Sequence, residues 1–476
     1  MAISDRGSAP PTSGRRSLAL LTILSAQFML AMDLLIVVVA LPRIQVDLDF
    51  SPAALTWVLN AFGLSFGGLL LLGGRLGDML GQVRTFRAGI AVFVLASLVG
   101  GLAETSGILV AARVFQGIGA AMAGPSVLAL VLAMSRNATE QARGMSLFIA
   151  VSSVGASAGL ILGGVLTEYV SWRWSLLINV PVGAMVVAVI GRLVAETHPK
   201  EAKLDIVGAI TATLGSVAIV YGFISAAENG WSSAATILSF AAGALLFVAF
   251  VRSAGRHPQP LLDLDLLRDR PRLGGLAVMA LIVGMHFSVL FTLAQYLQQV
   301  LGYTPLIAGL ACLPLTATVF GISQVVPRLI GQFGTRALLI SGSLLVSASL
   351  LGFALLGDAG AYFPAVLIPL LVHAVGIALV FAPGTVAIME GVPVDHAGAA
   401  SGLLQMDQQI GGALGIAVIT AIYTLAVEPG RYVSGLPAAF GAGAAIAFVA
   451  AIIAWRAFRP RTATRPVAGY PIAKTS

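Results

Sequence analysis

Leu18–Pro42 (LALLTILSAQFMLAMDLLIVVVALP) is long enough to cross a bilayer, since about 20 apolar residues span the hydrocarbon, and it contains a single acid, Asp33. An ionised carboxylate at that depth costs about 2.5 to 3.5 kcal/mol on insertion scales, so such a residue faces a polar cavity or a partner. Asp33 is therefore the first functional candidate. The plainer alternative is an acid paired with a base to hold two helices together.

The composition extends this reading to the whole chain. Of 476 residues 58% are apolar and only 10% charged, with a mean hydropathy of +0.97, whereas soluble domains carry about 25% charged residues. This is an all-α polytopic membrane protein. The 54 glycines suit closely packed or sliding helices. A net charge of +7 resembles a nucleic-acid footprint, but its placement in loops, counted below, argues for membrane topology and against a nucleic-acid partner. Cys312 is the only cysteine, which excludes an internal disulfide. The polar start, with Arg6, Arg15 and Arg16, precedes an apolar run too long for a signal peptide, so the run reads as a retained first helix.

Apolar windows delimit fourteen spans: 18–41, 54–74, 86–103, 107–133, 144–167, 175–195, 206–226, 233–251, 274–298, 305–327, 337–357, 362–388, 397–425 and 435–456. Lys and Arg test that count independently, because they should collect in alternate loops. With the N-terminus inside, 23 fall in inside segments or at inner span ends, three fall outside (Arg43, Arg173 and Arg431), and Arg113 lies within span 4. Both termini are thus expected in the cytoplasm. The loop Arg252–Arg272, with five arginines and Asp263, Asp265 and Asp269, reads as a solvated, partly helical segment at an anionic lipid surface. Asn137-Ala138-Thr139 matches a glycosylation acceptor on the wrong side of the membrane.

A weak repeat divides the chain. Arg75-Leu76 followed by Leu80-Gly81 recurs as Arg328-Leu329 followed by Phe333-Gly334, and duplicated halves with a cavity between them are a plan of secondary transporters. The expected organisation is a tail (1–17), a six-helix half (18–197), an inserted pair with its cytoplasmic loop (198–272), a second six-helix half (273–457) and a tail (458–476).

Gly74-Arg75-Leu76-Gly77-Asp78-Met79-Leu80-Gly81 resembles the loop signature of the major facilitator superfamily, and the spans that follow resemble its fourteen-helix drug:proton antiporter branch. Further matches are Met32-Asp33 with Ala40-Leu41-Pro42, Arg113 with Gln116-Gly117-Ile118-Gly119, and Gly155, Gly159, Gly163 and Gly164. To these are added Trp172-Arg173-Trp174 with Ile178-Asn179-Val180-Pro181, and Ala400-Ser401-Gly402 with Gly411-Gly412. Met79 and Gln82 stand where the loop signature usually has basic residues, and Leu160 replaces the proline of an antiporter pattern in span 5. The resemblance implies the major facilitator fold and a gating role for Asp78, with Gly74, Gly81 and Arg84 of the same loop, against the alternative of an ordinary helix cap.

Asp33 and Arg113 lie eight and seven residues from the outer ends of their spans, roughly 10 to 12 Å deep at 1.5 Å per residue, so they can meet. A nearby base favours an ionised carboxylate and a dry site the protonated one, so opening and closing a cavity would switch Asp33 between releasing and holding a proton. Asp407, near mid-membrane in a turn made polar by Gln405, Gln408 and Gln409, is a second proton site, a cation contact or a helix–helix hydrogen bond. His286 and His373 suit proton relays, or are hydrogen-bonded packing residues. Gln27, Asn60, Gln116, His286, Gln295, Gln324 and Gln405 are candidates for the substrate cavity. Gly155 and Gly159, with Gly163, mark one face of span 5 for close packing on which rocking depends.

No phosphate loop exists, since the one lysine preceding a threonine, Lys474, follows Ala473, and no residues have structural-metal or catalytic spacing. The expectation is a non-enzymatic exporter in a bacterial inner membrane, driven by the proton gradient without a cofactor, for amphipathic organic molecules. Two alternatives remain at this stage: an exporter or importer of one natural product or lipid-like metabolite, and a non-transporting receptor on a transporter fold.

Overall fold

The computed structural model describes residues 13–134, 138–196, 205–258, 260, 269–357, 361–390, 397–428 and 430–458. The polar tails 1–12 and 459–476, Asn137, Asp263 and Asp265 lie outside the described residues. Twelve described helices are long and apolar enough to cross a membrane. One of them, Pro305–Phe353, breaks at Gly334, whose φ of 77° is not helical, and so contains two crossings. Ala138–Tyr169 supplies one more, giving fourteen.

Spans 1 to 6 are Ser13–Asp47, Trp57–Leu80, Gln82–Gly101, Ser106–Ala133, Ala138–Tyr169 and Asn179–Leu193. Spans 7 and 8 are Ile206–Asn229 and Ala234–Ala254. Spans 9 to 14 are Arg270–Gln299, 305–333, 335–353, Leu367–Met389, Ala397–Ala426 and Leu436–Ala457. Several helices outrun their apolar windows, span 1 by a turn at each end, because intrahelical hydrogen bonding continues past the hydrocarbon edge that hydropathy detects.

The sequence repeat has a backbone counterpart. Gly81 and Gly334 both adopt positive φ, 99° and 77°, where an L side chain is strained, and each turns the chain directly from one crossing into the next. At Gly81 a Cβ would also fall 2.4 Å from the Glu196 carboxylate. That carboxylate accepts from the amides of Val83 and Arg84 at 2.9 and 3.0 Å, joining the end of span 6 to the start of span 3.

Within the first half, span 5 lies on span 1 along its glycine face. A Cβ on Gly155, Gly159 or Gly163 would meet the carbonyls of Phe28, Met32 and Ile36 at 2.8, 2.5 and 2.3 Å. Without a hydrophobic drive between helices in lipid, such backbone approach is what holds the two together. The inserted pair packs against itself, and span 7 also lies on spans 2 and 13. Ser51 donates to Glu228 at 2.5 Å on that flank.

The arginines sort the molecule into two faces. On the arginine-rich face arginines bond within their own half: Arg16 to Glu140 and Arg15 to the Arg192 carbonyl in the first, Arg272 to the Ile388 and Glu390 carbonyls and Arg336 to the Trp455 carbonyl in the second. Contacts between halves concentrate toward the arginine-poor face. Gln298 donates to the Val39 carbonyl (2.9 Å), and Glu168 accepts from the Leu306 amide in the first turn of span 10 (3.1 Å). Beside it the Leu160 carbonyl and Gly309 touch so closely that a Cβ on the glycine would sit 2.4 Å from the oxygen. Phe291 and Ile416 of the second half join Ile36, Ala40, Leu41 and Val58 of the first in one buried apolar cluster. Toward mid-membrane, span 13 meets span 2 where Gln409 lies against Gly63 and Gly67. The arginine-poor side is closed.

Two outcomes follow from these contacts. Gly309→Leu should hold that side open, seen as a several-fold rise in labelling of a Gln45→Cys reporter by an impermeant maleimide in a Cys312→Ala background; unchanged labelling would contradict the closure described. Glu196→Ala, which removes the acceptor at the start of span 3, should destabilise the purified protein by about 0.5 to 2 kcal/mol, read from its thermal midpoint in detergent.

Candidate functional site

The first half is built around one carboxylate. Asp33 of span 1 and Arg113 of span 4 are 0% and 1% exposed, and Arg113 Nη1 lies 2.6 Å from Asp33 Oδ2. Asp33 Oδ1 accepts from Asn179 Nδ2 at 2.7 Å and from Gln116 Nε2 at 3.4 Å. Arg113 also donates through Nε to the Val58 carbonyl (2.9 Å) and through Nη1 to Gln116 Oε1 (2.9 Å). Its guanidinium stands 4.5 Å from the centre of the Phe62 ring. Ser97 closes the network, accepting from Gln116 at 2.7 Å and Asn179 at 3.4 Å. Five crossings, spans 1, 2, 3, 4 and 6, therefore converge on one ion pair.

The geometry defines what this cluster can do. Every hydrogen-bonding neighbour of the carboxylate is a donor, so Asp33 acts only as an acceptor here. Oδ1 accepts from two donors and Oδ2 from one, so a proton arriving at Asp33 competes with N–H groups for the carboxylate's lone pairs. The apolar cluster of Leu41, Val58, Phe291 and Ile416 lies toward the arginine-poor face, so the site is shielded on that side.

The remaining candidates scatter. Gln116 was expected in a substrate cavity; it is fully buried inside the ion-pair cluster, because its amide supplies both a donor to Asp33 and an acceptor to Arg113. Asn60 is likewise enclosed, 1% exposed, with neither amide atom partnered. Gln27 binds Ser152 (2.9 Å) and so links spans 1 and 5. Gln295 is buried beside a small hollow near the arginine-poor face, with Gln299 and Tyr432. Gln324 and Gln405 are exposed. Asp407 is partly exposed, and its buried Oδ2 has no partner. His286 and His373 form a pair across spans 9 and 12, with nitrogens 3.3 Å apart.

In the loop signature Asp78 is exposed and accepts from Gln82 at 3.1 Å. Gly74 approaches Pro125 of span 4, and Arg84 lies near Glu196 (3.8 Å). Sequence reasoning quoted Asn179 only as part of a motif and overlooked Ser97, Glu168 and Glu196. Asn179 and Ser97 carried one usable signal: each is a polar residue in the outer part of an apolar span, as Asp33 is. Glu168 and Glu196 carried none, since they sit at helix ends where acids are ordinary.

A sequence profile described as Major Facilitator Superfamily matches residues 23–416. The chain is 38% identical over 85% of its length to the "Uncharacterized MFS-type transporter EfpA" of Mycobacterium tuberculosis, covering 77% of that relative. It is 37% identical over 90% of its length to the "Cephamycin export protein CmcT" of Amycolatopsis lactamdurans, covering 88% of it. The "Puromycin resistance protein pur8" of Streptomyces alboniger is 38% identical over 86% of this chain and 82% of its own. Among solved structures, a peptide transporter POT in complex with sulfate superposes with a TM-score of 0.68 over 92% of this chain and 94% of that one, at 14% identity, a likeness of fold alone. The fourteen crossings, six in each half and two in the inserted pair, and the long profile match agree: the chain belongs to the Major Facilitator Superfamily of membrane transporters.

Proposed function

We propose that this protein is a proton-coupled exporter that moves amphipathic organic molecules, antibiotics among them, across a bacterial inner membrane by alternating access. The observation that carries the reading is the Asp33–Arg113 pair, buried in the first half on the membrane side of a closed barrier. Intramembrane ionisable groups of this kind are expensive and sit on proton or substrate paths. Relatives of similar length are named as export and resistance proteins for cephamycin and puromycin, which supports the direction and the substrate class. The excess of Lys and Arg supports assigning the arginine-rich face, with both chain ends, to the cytoplasm. The energy source is the proton gradient, with no cofactor.

In this mechanism the described conformation is closed to the outside. When the halves tip, a donor to Asp33 withdraws, the carboxylate takes a proton from the outer side, and cargo departs. Return to the closed state brings Arg113 and Asn179 back and sends the proton inward. Proton and cargo thus exchange through one set of hydrogen bonds. Loading occurs only when that set is broken.

A paired substitution separates this role from a structural one. Asp33→Asn leaves a buried guanidinium without its counter-charge, a change that destabilises by about 3 to 5 kcal/mol. Adding Arg113→Gln removes the stranded charge and should restore much of the thermal stability. If Asp33 carries the proton, the double variant in reconstituted vesicles regains stability but not outward flux driven by an imposed pH gradient. Recovery of both would mean a structural ion pair, and inward flux under the same gradient would mean uptake.

A further inference from the structure

The second half holds a chain of polar atoms that the mechanism above does not use. His373, fully buried in span 12, places Nδ1 3.1 Å from Ser349 Oγ of span 11 and Nε2 3.3 Å from His286 Nδ1 of span 9. The rings are nearly parallel, 12° apart, with centres 5.5 Å apart. The hydroxyl decides where the protons sit. Ser349 gives its only proton to the Val346 carbonyl at 2.7 Å, so toward His373 its oxygen accepts, and Nδ1 of His373 carries hydrogen. Neutral His373 then offers a lone pair at Nε2, and His286 donates to it from Nδ1. By elimination, the lone pair of neutral His286 lies on Nε2. That atom has no hydrogen-bond partner among the described residues, and His286 is itself partly exposed.

We propose that His286, His373 and Ser349 form a second proton-binding site, loaded at His286 Nε2 and distinct from the Asp33 cluster. The added proton bonds to that nitrogen, making His286 an imidazolium that keeps donating from Nδ1 to His373, while His373 stays neutral. No other bond is broken. The edges of Phe287 and Phe381 flank His286 at ring-centre distances of 5.9 and 6.5 Å. No charged group among the described residues bonds to either imidazole. On the packed elements, Arg270 and Arg272 stand at the arginine-rich end of span 9 and Glu390 follows span 12. Arg328, Arg336 and Arg456 stand toward that same face, Asp407 is the acid that span 13 brings, and Asp33 of span 1 is held by Arg113. Phe287 also packs on Gly412, one residue beyond the Gly411 contact that joins spans 9 and 13. Loading therefore puts one positive charge into the three-helix wall of the second half. Its effect on transport rests on the proton-coupled reading above; proton uptake at the pair does not.

The test is nitrogen NMR of the full chain in lipid nanodiscs with ¹⁵N-labelled histidine, assigned by His286→Gln and His373→Gln. At alkaline pH His373 should show the Nδ1–H tautomer and His286 a bare Nε2. On acidification within the folded range, His286 alone of the pair should become doubly protonated, and Ser349→Ala should mix the His373 tautomers without abolishing the step. A pair that stays neutral throughout, two rings that titrate independently, or protonation of His373 in place of His286 would overturn the proposal. If a variant does not fold, the native-chain tautomers decide the matter alone. Titration of His286 in a protein without proton-driven flux would sustain this site and refute the proposed function; flux without titration would do the reverse.

Discussion

A carboxylate and a guanidinium shut away from both water and lipid form the constraint on which the first half depends. Removing two ions from water costs several kcal/mol each, and their attraction offsets that only when the remaining donors and acceptors are also satisfied. Here the surrounding spans supply them: Asn179, Gln116, Ser97 and the Val58 carbonyl each come from a different crossing or position along it. The ion pair is therefore a poor stabiliser taken alone and a strong organiser. Five crossings must reach the same depth for all of its contacts to form. Span 5, which contributes nothing to the cluster, is held instead by backbone approach along its glycine face, on the same stretch of span 1 that carries Asp33.

The barrier between halves is built from weaker material. An amide side chain on a backbone carbonyl, a carboxylate on a helix-start amide and close backbone contact at Gly309 join the halves, beside the apolar cluster around Phe291 and Ile416 and the packing of span 13 on span 2. A neutral hydrogen bond contributes about 0.5 to 1.5 kcal/mol net and one to a charged group about 1.5 to 3, against about 3 to 5 lost when a buried ion pair is broken by removing one partner. The halves can thus part while each stays intact, which is the mechanical requirement for rigid-body rocking about a site between repeats.

The two halves share a backbone plan and differ in chemistry. Gly81 and Gly334 turn the chain in the same way at equivalent places. Yet the first half neutralises its acid with a base, whereas the second carries Asp407 with one unpartnered oxygen and, elsewhere, two imidazoles that bond to each other. The helix-to-helix turns, which depend on φ, are alike in the two halves, and the polar interiors are not.

Composition, charge segregation and the Gly81/Gly334 repeat were enough to establish fourteen crossings, their order and the two halves, because these features follow from local hydropathy and from where a glycine alone can turn the chain. The meeting of Asp33 with Arg113 was also legible, since depth along a helix can be counted at 1.5 Å per residue. Depth says nothing about azimuth, and that is where sequence ran out. Whether Gln116 faces a cavity or the ion pair, whether His286 and His373 stand alone or together, and which glutamines remain exposed depend on how each helix is rotated against its neighbours. That rotation is settled by side-chain packing across several crossings at once, and so was the closure of the arginine-poor face, which places Glu168 beside a helix start far away in the chain.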